Sequence, residues 1–371
     1  MRSNKKNGGI VGGVLGGLIL LVFGTVLLWW NEGENVRNIR TTDEVERNAV
    51  DIVSMSDPAQ YENKLVSVSG RITVVDDALK DETFGISVHT AAMKRVVEMY
   101  QWDEEEHSDD DGTTYSYSKD WYPRVIDSSR FMRSGHDNPG SMPYENAAYY
   151  AEKVTLGNFH LSDNQMKKMS LDAVVDPSAA NAVLPENYHV SGSYATQSED
   201  LGHPQVGDVR ISWQYNDWTE VSLIAQPVGT TFSSYVSKVG KRVNYITGGI
   251  HTTHEMVEDM REQDRIMKWA FRAIGALMIF FGYLALITPL TKLASLIPFL
   301  GGVINGLLFV IEFLIALVHS LLVIGIAWIR FRPVVGILLL AACAGVGVLT
   351  FVMARKRKES LAPATTYQTV S

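Results

Sequence analysis

The sequence predicts a multipass α-helical membrane protein of four spans, arranged one plus three, with a large β-rich α+β extracytoplasmic domain. Three observations predict it. Four long stretches, 8–30, 273–290, 303–329 and 333–354, are free of charge or nearly so. Residues 31–268 hold 39 acidic and 22 basic side chains, a net −17, while the rest of the chain holds 2 and 11. Within that acidic middle, apolar residues alternate at a period of two, as half-buried strands do.

The chain opens with a basic tail, 1–7, that carries Arg2, Lys5 and Lys6. The first span, 8–30, follows; about 20 apolar residues suffice to cross a hydrocarbon core of about 30 Å. A cleaved signal peptide would also start basic. This apolar stretch is too long for one and ends in Trp-Trp-Asn-Glu with no small-x-small site, so it reads as an uncleaved anchor. Gly8, Gly12 and Gly16, and Gly9, Gly13 and Gly17, form two four-residue rows on this helix. Small-xxx-small rows let helix backbones approach closely in lipid, either within one bundle or between two copies.

Residues 31–250 form the outer domain. "TTDEVERNAVDIVS" (41–54) reads either as a short helix or as an early strand. "KLVSVSGRITVV" (64–75) is the clearest strand, with Gly70 marking a bulge. "FGISVHT" (84–90) and "RVVEMYQW" (95–102) are strands. "YSYSKDWYP" (115–123) returns against the latter through a tip of seven carboxylates between Asp103 and Asp111. Tyr100, Trp102, Tyr115, Tyr117 and Trp121 then pack across the hairpin, or present some of their rings to a partner. "SDNQMKKM" (162–169) is a helix opened by a Ser162–Gln165 capping box. Strands at 187–195, 208–215 and 218–227 complete the domain. "VSVSGRI" and "YHVSGSY" share a strand-plus-glycine pattern that hints at duplication, and small Gly-kinked barrels of the OB type are one way to arrange such repeats.

Residues 251–268 have a charged helical pattern and form a stalk continuous with the second span, 269–290. Residues 291–302, with Pro298 and two glycines, are too short to cross and read as an interfacial piece. The third span, 303–329, holds Glu312 and His319 two turns apart on one face. Ionisable groups at that depth mark either interhelical hydrogen bonds or a proton or ion path. The fourth span, 333–354, contains Cys343, the single cysteine, and a tail, 355–371, follows with Arg355 to Lys358.

Basic flanks stay cytoplasmic, so both tails lie inside and the acidic domain outside. Trp29, Trp30, Trp269 and Trp328 then all fall at the outer interface, where such rings collect. Arg330 and Arg332 fall on the outer side and oppose the rule. With its one cysteine in a span, the domain folds by core burial alone. The −17 charge argues against nucleic acid as a partner and against close docking of the domain on anionic headgroups. His251 and His254 lack a third ligand at zinc spacing, the 103–111 run lacks the order of a calcium loop, and no nucleophile elbow or phosphate-cradling glycine loop occurs. The residues thus suggest no catalysis and no cofactor, with the bilayer, further copies of the chain and other membrane proteins as partners.

"WNEG" (30–33), "ENKLVSVSG", "VEMYQW" leading through the acidic insert to "YSYSKDW", "GHDNP" (135–139), "VGDVRISW" (206–213) and "IAWIRFRPVVGI" (326–337) resemble, in this order, the LUMA or transmembrane protein 43 family. The likeness covers nearly the whole chain, including the spacing of spans. It implies a membrane-organising scaffold rather than a catalyst. In animals it implies residence in the endoplasmic reticulum and inner nuclear membrane, self-association, and contact with lamins and emerin. The family also occurs in bacteria. The short basic N-terminus favours a bacterial member, with the domain in the periplasm, so lamin binding is not carried over; in a eukaryote the domain would be luminal.

Overall fold

The computed structural model describes residues 3–109, 112–180, 182–294 and 301–338. The chain divides into two compact units, Met1–Asp43 with Glu258–Ser371, and Glu44–Val257.

The first unit is helical. Helix α1 (Ser3–Asn48) runs unbroken for 46 residues, so the short helix or strand expected over 41–54 is the end of α1 followed by a strand, Val50–Val53. After the four-residue α2 (Asp163–Met166) of the second unit come α3 (Thr253–Ala294) and α4 (Gly301–Phe331). The stalk and the second span are one helix, as the sequence suggests. Among the described residues, three helices are long and apolar enough to cross a bilayer: Gly12–Asn48, Thr253–Thr288 and Leu308–Phe331, with mean hydropathies of 2.2, 2.0 and 2.5. A fourth span at 333–354 falls, past residue 338, outside the described residues, as do Cys343, 295–300 of the interfacial piece and the tail 355–371. At its start, Gly336 packs so closely that a Cβ there would lie 2.6 Å from Ile329 Cα.

The second unit holds two seven-stranded sheets, with a core each, and two small two-stranded ones among the described residues. In the first, five strands pair in a closed ring. Val66–Val74 pairs with Val154–Leu156, which pairs with Phe159–His160. Phe159–His160 runs parallel to Thr231–Ser233, which pairs with Glu220–Val228, and that strand returns to Val66–Val74. Val66, Val68, Leu156, Phe159, Leu223, Ala225 and Phe232 fill the interior, and Phe159 stacks on Phe232 at 5.0 Å. α2 follows the ring's third strand; Gln165 Oε1 accepts the Ser162 backbone N–H at 2.7 Å, the expected capping contact. Closure leaves no exposed edge among these five strands.

The second sheet is open and centres on the long strand Ala92–Asp109, flanked by Val209–Tyr215 and Gly112–Tyr122. Its core packs Phe84, Met93, Val97, Ile211 and Trp213. A charge lies buried beside it. Asp81 accepts both bonds of Arg95 Nη1, at 2.7 and 2.9 Å, and a third from Trp213 Nε1 at 2.8 Å. The duplication suggested by the shared glycine pattern does not carry through. Gly70 sits inside a ring strand, whereas Gly192, at φ +59°, occupies the tight turn between His189–Ser191 and Tyr194–Thr196. Period-two alternation and a glycine recur in unrelated strands because both answer to local geometry.

Removing Asp81 strands a buried guanidinium and an indole N–H. Asp81→Ala is expected to destabilise the full chain by about 3–5 kcal/mol, read as a lowered midpoint in detergent-phase thermal unfolding. A loss no larger than that of Asp76→Ala, at the ring's rim, would show the pair to be dispensable.

Candidate functional site in the helical unit

Residues Gly17, Leu21, Gly24, Leu28, Asn31, Asn35, Asn38 and Thr42 follow a four-three spacing along α1, and each is buried or half-buried. That is the seam of an antiparallel pair with α3. A Cβ on Gly17 would lie 2.8 Å from the Gly282 carbonyl oxygen, and one on Gly24 would lie 2.8 Å from that of Gly275. In return, Leu28 and Leu21 fill the space that side chains at Gly275 and Gly282 would need, at 2.7 and 2.8 Å. Of the expected glycine rows, Gly17 serves this contact. Among the described residues, Gly12, Gly13 and Gly16 have nothing within 4 Å of a Cβ, and Gly8 and Gly9 lie in the first turns of α1. Gly24, Gly275 and Gly282 were missed because a four-residue period was sought where the seam repeats every seven.

Past Leu28 the seam keeps its register and turns polar. The "WNEG" tetrapeptide is where this happens. Trp30 meets Phe271 edge-on at 5.7 Å. Asn31 Nδ2 donates to the Lys268 carbonyl at 3.1 Å. Gly33 has Phe331 against it, where a Cβ would come within 2.8 Å. Glu32, 1% exposed, ties all three helices: Arg272 Nε donates to Oε1 at 2.7 Å, and Trp328 Nε1 donates to Oε2 at 2.8 Å. The Arg272 guanidinium also lies over the Trp269 and Trp328 rings, at 4.8 and 6.0 Å. Farther along, Asn38 Nδ2 donates to Asp264 at 2.6 Å and Arg261 pairs with Asp43 at 2.9 Å. Glu32 was readable only as an ordinary interfacial charge, since nothing local in sequence announces its partners 240 and 296 residues away.

His319 makes a second three-helix tie. The Thr25 hydroxyl donates to the Leu21 carbonyl at 2.6 Å, so its oxygen accepts from His319 Nε2 at 3.2 Å. Its Nδ1 shares a hydrogen bond with the Tyr283 hydroxyl at 3.1 Å. Glu312 does not join it. It is 2% exposed, and its Oε2 has no hydrogen-bond partner among the described residues.

In the β unit, the aromatic hairpin residues all fall on one face. The register sets Tyr100 opposite Trp121, Trp102 opposite Lys119, Glu104 opposite Tyr117 and Glu106 opposite Tyr115. The "GHDNP" loop covers part of it. His136 stacks on Tyr117 at 3.8 Å and meets Trp102 edge-on at 4.6 Å, while Asn138 donates to the Trp102 carbonyl at 2.9 Å. The Tyr117 hydroxyl donates to Glu104; partial desolvation first, and then this bond, push it above the usual phenol range. Arg210 caps Trp121 at 4.5 Å and pairs with Glu98 at 2.7 Å. His251 Nε2 donates to the Gly248 carbonyl at 2.9 Å, and His254 pairs with Glu46, also at 2.9 Å.

Glu32→Ala leaves Arg272 without its counter-ion in a half-buried site and is expected to cost about 3–5 kcal/mol. Glu34→Ala, in a partly exposed pair with Arg37 one turn away, should cost no more than about 1 kcal/mol. Thermal unfolding of the detergent-solubilised variants measures both, and equal losses would remove Glu32 from its structural role.

The family described as Transmembrane protein 43 matches residues 99–333. The chain is 29% identical over 351 residues to the Transmembrane protein 43 homolog of Drosophila melanogaster, covering 88% of this chain and 91% of that one. It is 27% identical over 376 residues to Transmembrane protein 43 of Homo sapiens, covering 93% and 90%. No solved structure matches it. With its apolar helices and its β unit, the chain is an integral membrane protein that belongs to the Transmembrane protein 43 family.

Proposed function

We propose that this protein is a membrane-organising scaffold that works through self-association and contacts with other membrane proteins. The observation that carries the reading is the division of labour among the glycines of α1. Gly17 and Gly24 are consumed by α3, whereas Gly12 and Gly16, one turn apart, have free space beside them. In lipid, a bare small-residue stripe offers a second helix close backbone approach, and van der Waals contact drives such association. The helices themselves are tied at Glu32 and His319 into a bundle with little freedom to move, which suits a platform. The β unit lies on the extracytoplasmic side, as the −17 charge of residues 31–268 and the basic flanks favour. Its closed ring runs first-second-third-fifth-fourth in chain order, with the one parallel contact between third and fifth. We read it as a single barrel of the OB type, a module that commonly serves binding.

A second reading rests on Glu312. An ionisable group buried in a membrane helix without a partner is costly to keep and by default marks function. In that reading it is a proton-binding step of a transport path along α4, and His319, already engaged on both nitrogens, orients the helix rather than conducting.

Gly12→Leu with Gly16→Leu is expected to convert crosslinked dimers to monomers in native membranes by at least about fivefold, about the loss of 1 kcal/mol of helix–helix contact. The chain should remain folded, because neither position touches α3. Undiminished crosslinking would refute association through this stripe. In the transport reading, Glu312→Gln abolishes proton flux in sealed proteoliposomes, and flux equal to that of the parent chain refutes it.

A further inference from the structure

Four cations gather in the helical unit around the C-terminal end of α4, among aromatic side chains, and among the described residues only one of them has a carboxylate. Arg272 is neutralised by Glu32 at 2.7 Å. Lys268, Arg330 and Arg332 have no carboxylate within salt-bridge reach among the described residues, and the adjacent Arg265 is occupied by Glu262 at 3.3 Å. Lys268 feels the positive charges of Arg272, Arg332 and Arg265 against the single negative charge of Glu32. Lys268 and Arg332 are each half-buried, so water screens that repulsion less than at an open surface. Arg332 is also the residue at which the helical path breaks between α4 and the segment from 333; its N–H donates to the Trp328 carbonyl at 2.7 Å.

Such a cluster is costly without an anion. It also stands on the side of the membrane where the distribution of basic residues disfavours it. Rings surround it: Lys268 Nζ lies 5.9 Å from the Trp269 centroid, Arg330 lies 5.8 Å from that of Phe331, and Trp29 meets Phe331 at 5.5 Å. Indoles and phenyl rings of this kind settle at headgroup depth. An anion at that depth is a phospholipid phosphate, and basic pockets between transmembrane helices take such headgroups.

We propose that Lys268 and Arg332, with Arg330 at the rim, form a binding site for the headgroup phosphate of an anionic phospholipid in the leaflet where Trp29, Trp269 and Trp328 gather. The lipid supplies the counter-charge that the chain withholds. Its acyl chains lie along the α3–α4 surface below, where Leu277, Ile326 and Ile329 are exposed. Bound there, it holds the ends of α3 and α4 together from outside as Glu32 does from inside.

The test uses the full chain in nanodiscs of phosphatidylcholine, with and without phosphatidylglycerol, followed by native mass spectrometry and thermal unfolding. Phosphatidylglycerol should be retained on the protein and raise its midpoint above that in phosphatidylcholine alone. Retention should fall about fivefold for each charge removed in Lys268→Gln and Arg332→Gln. The charge-keeping pair Lys268→Arg with Arg332→Lys should restore it, which separates lost binding from lost folding. Lys80→Gln with Lys94→Gln, exposed in the β unit, serves as the control. Three results would overturn the site: retention unchanged in the double glutamine variant, an equal loss in the control, or the same stabilisation from inorganic phosphate added to phosphatidylcholine discs.

Discussion

Lipid offers a polar group no partner, and that constraint shapes the helical unit more than any other. Each polar side chain that enters the bundle must be answered by another from the same chain or remain unpaired at a cost of several kcal/mol. Glu32 and His319 are both answered, and each draws its partners from two other helices. Three helices thereby acquire one rotational setting. Apolar packing alone would specify that setting weakly, because in a bilayer leucine meets leucine or an acyl chain with nearly equal gain. The glycine seam supplies closeness and the two polar ties supply register. Neither substitutes for the other.

The same seam leaves the membrane without changing step. Gly17, Leu21, Gly24 and Leu28 fill it in the apolar part; Asn31, Asn35, Asn38 and Thr42 fill it beyond. Where lipid surrounds the pair, buried atoms need shape, and glycine opposite leucine provides it. Where water surrounds it, asparagine amides donate to α3 instead, as Asn31 and Asn38 do to Lys268 and Asp264. A polar seam specifies pairing at a cost in stability.

Much of this was legible in the sequence, and the limits have physical causes. Charge-free runs revealed the membrane helices because no soluble context requires them. Strand periodicity located the hairpin, and the pairing of Tyr100 with Trp121 follows from two aromatic strands joined by a short acidic turn. What could not be read was which side chains converge from far apart. Glu32 looked like a charge at a helix end, and Asp81 like one carboxylate among many, until Arg95 and Trp213 arrived from other strands. The five-strand ring was hidden for a related reason. Its second and third strands are three and two residues long, and a sheet-forming insert separates its first strand from its second. Periodicity needs more residues than that to register.

Glu312 stands apart from these solved polar groups and shows how the bundle distributes its tolerance. Glu32 and His319 have each been given partners on two other helices, so selection for a quiet interior would readily have replaced a glutamate at this depth by leucine. Such a replacement fills the same volume and relieves desolvation, and exchanging buried charge for apolar packing is neutral or stabilising in general. A buried carboxyl with a free oxygen is therefore poorly explained by stability. It is explained by something the three described helices do not supply: a proton taken up and released, or a donor brought by another helix. Either account makes the α4 face at Glu312 the place where the bundle is incomplete by itself, while the faces built on Glu32 and His319 are complete.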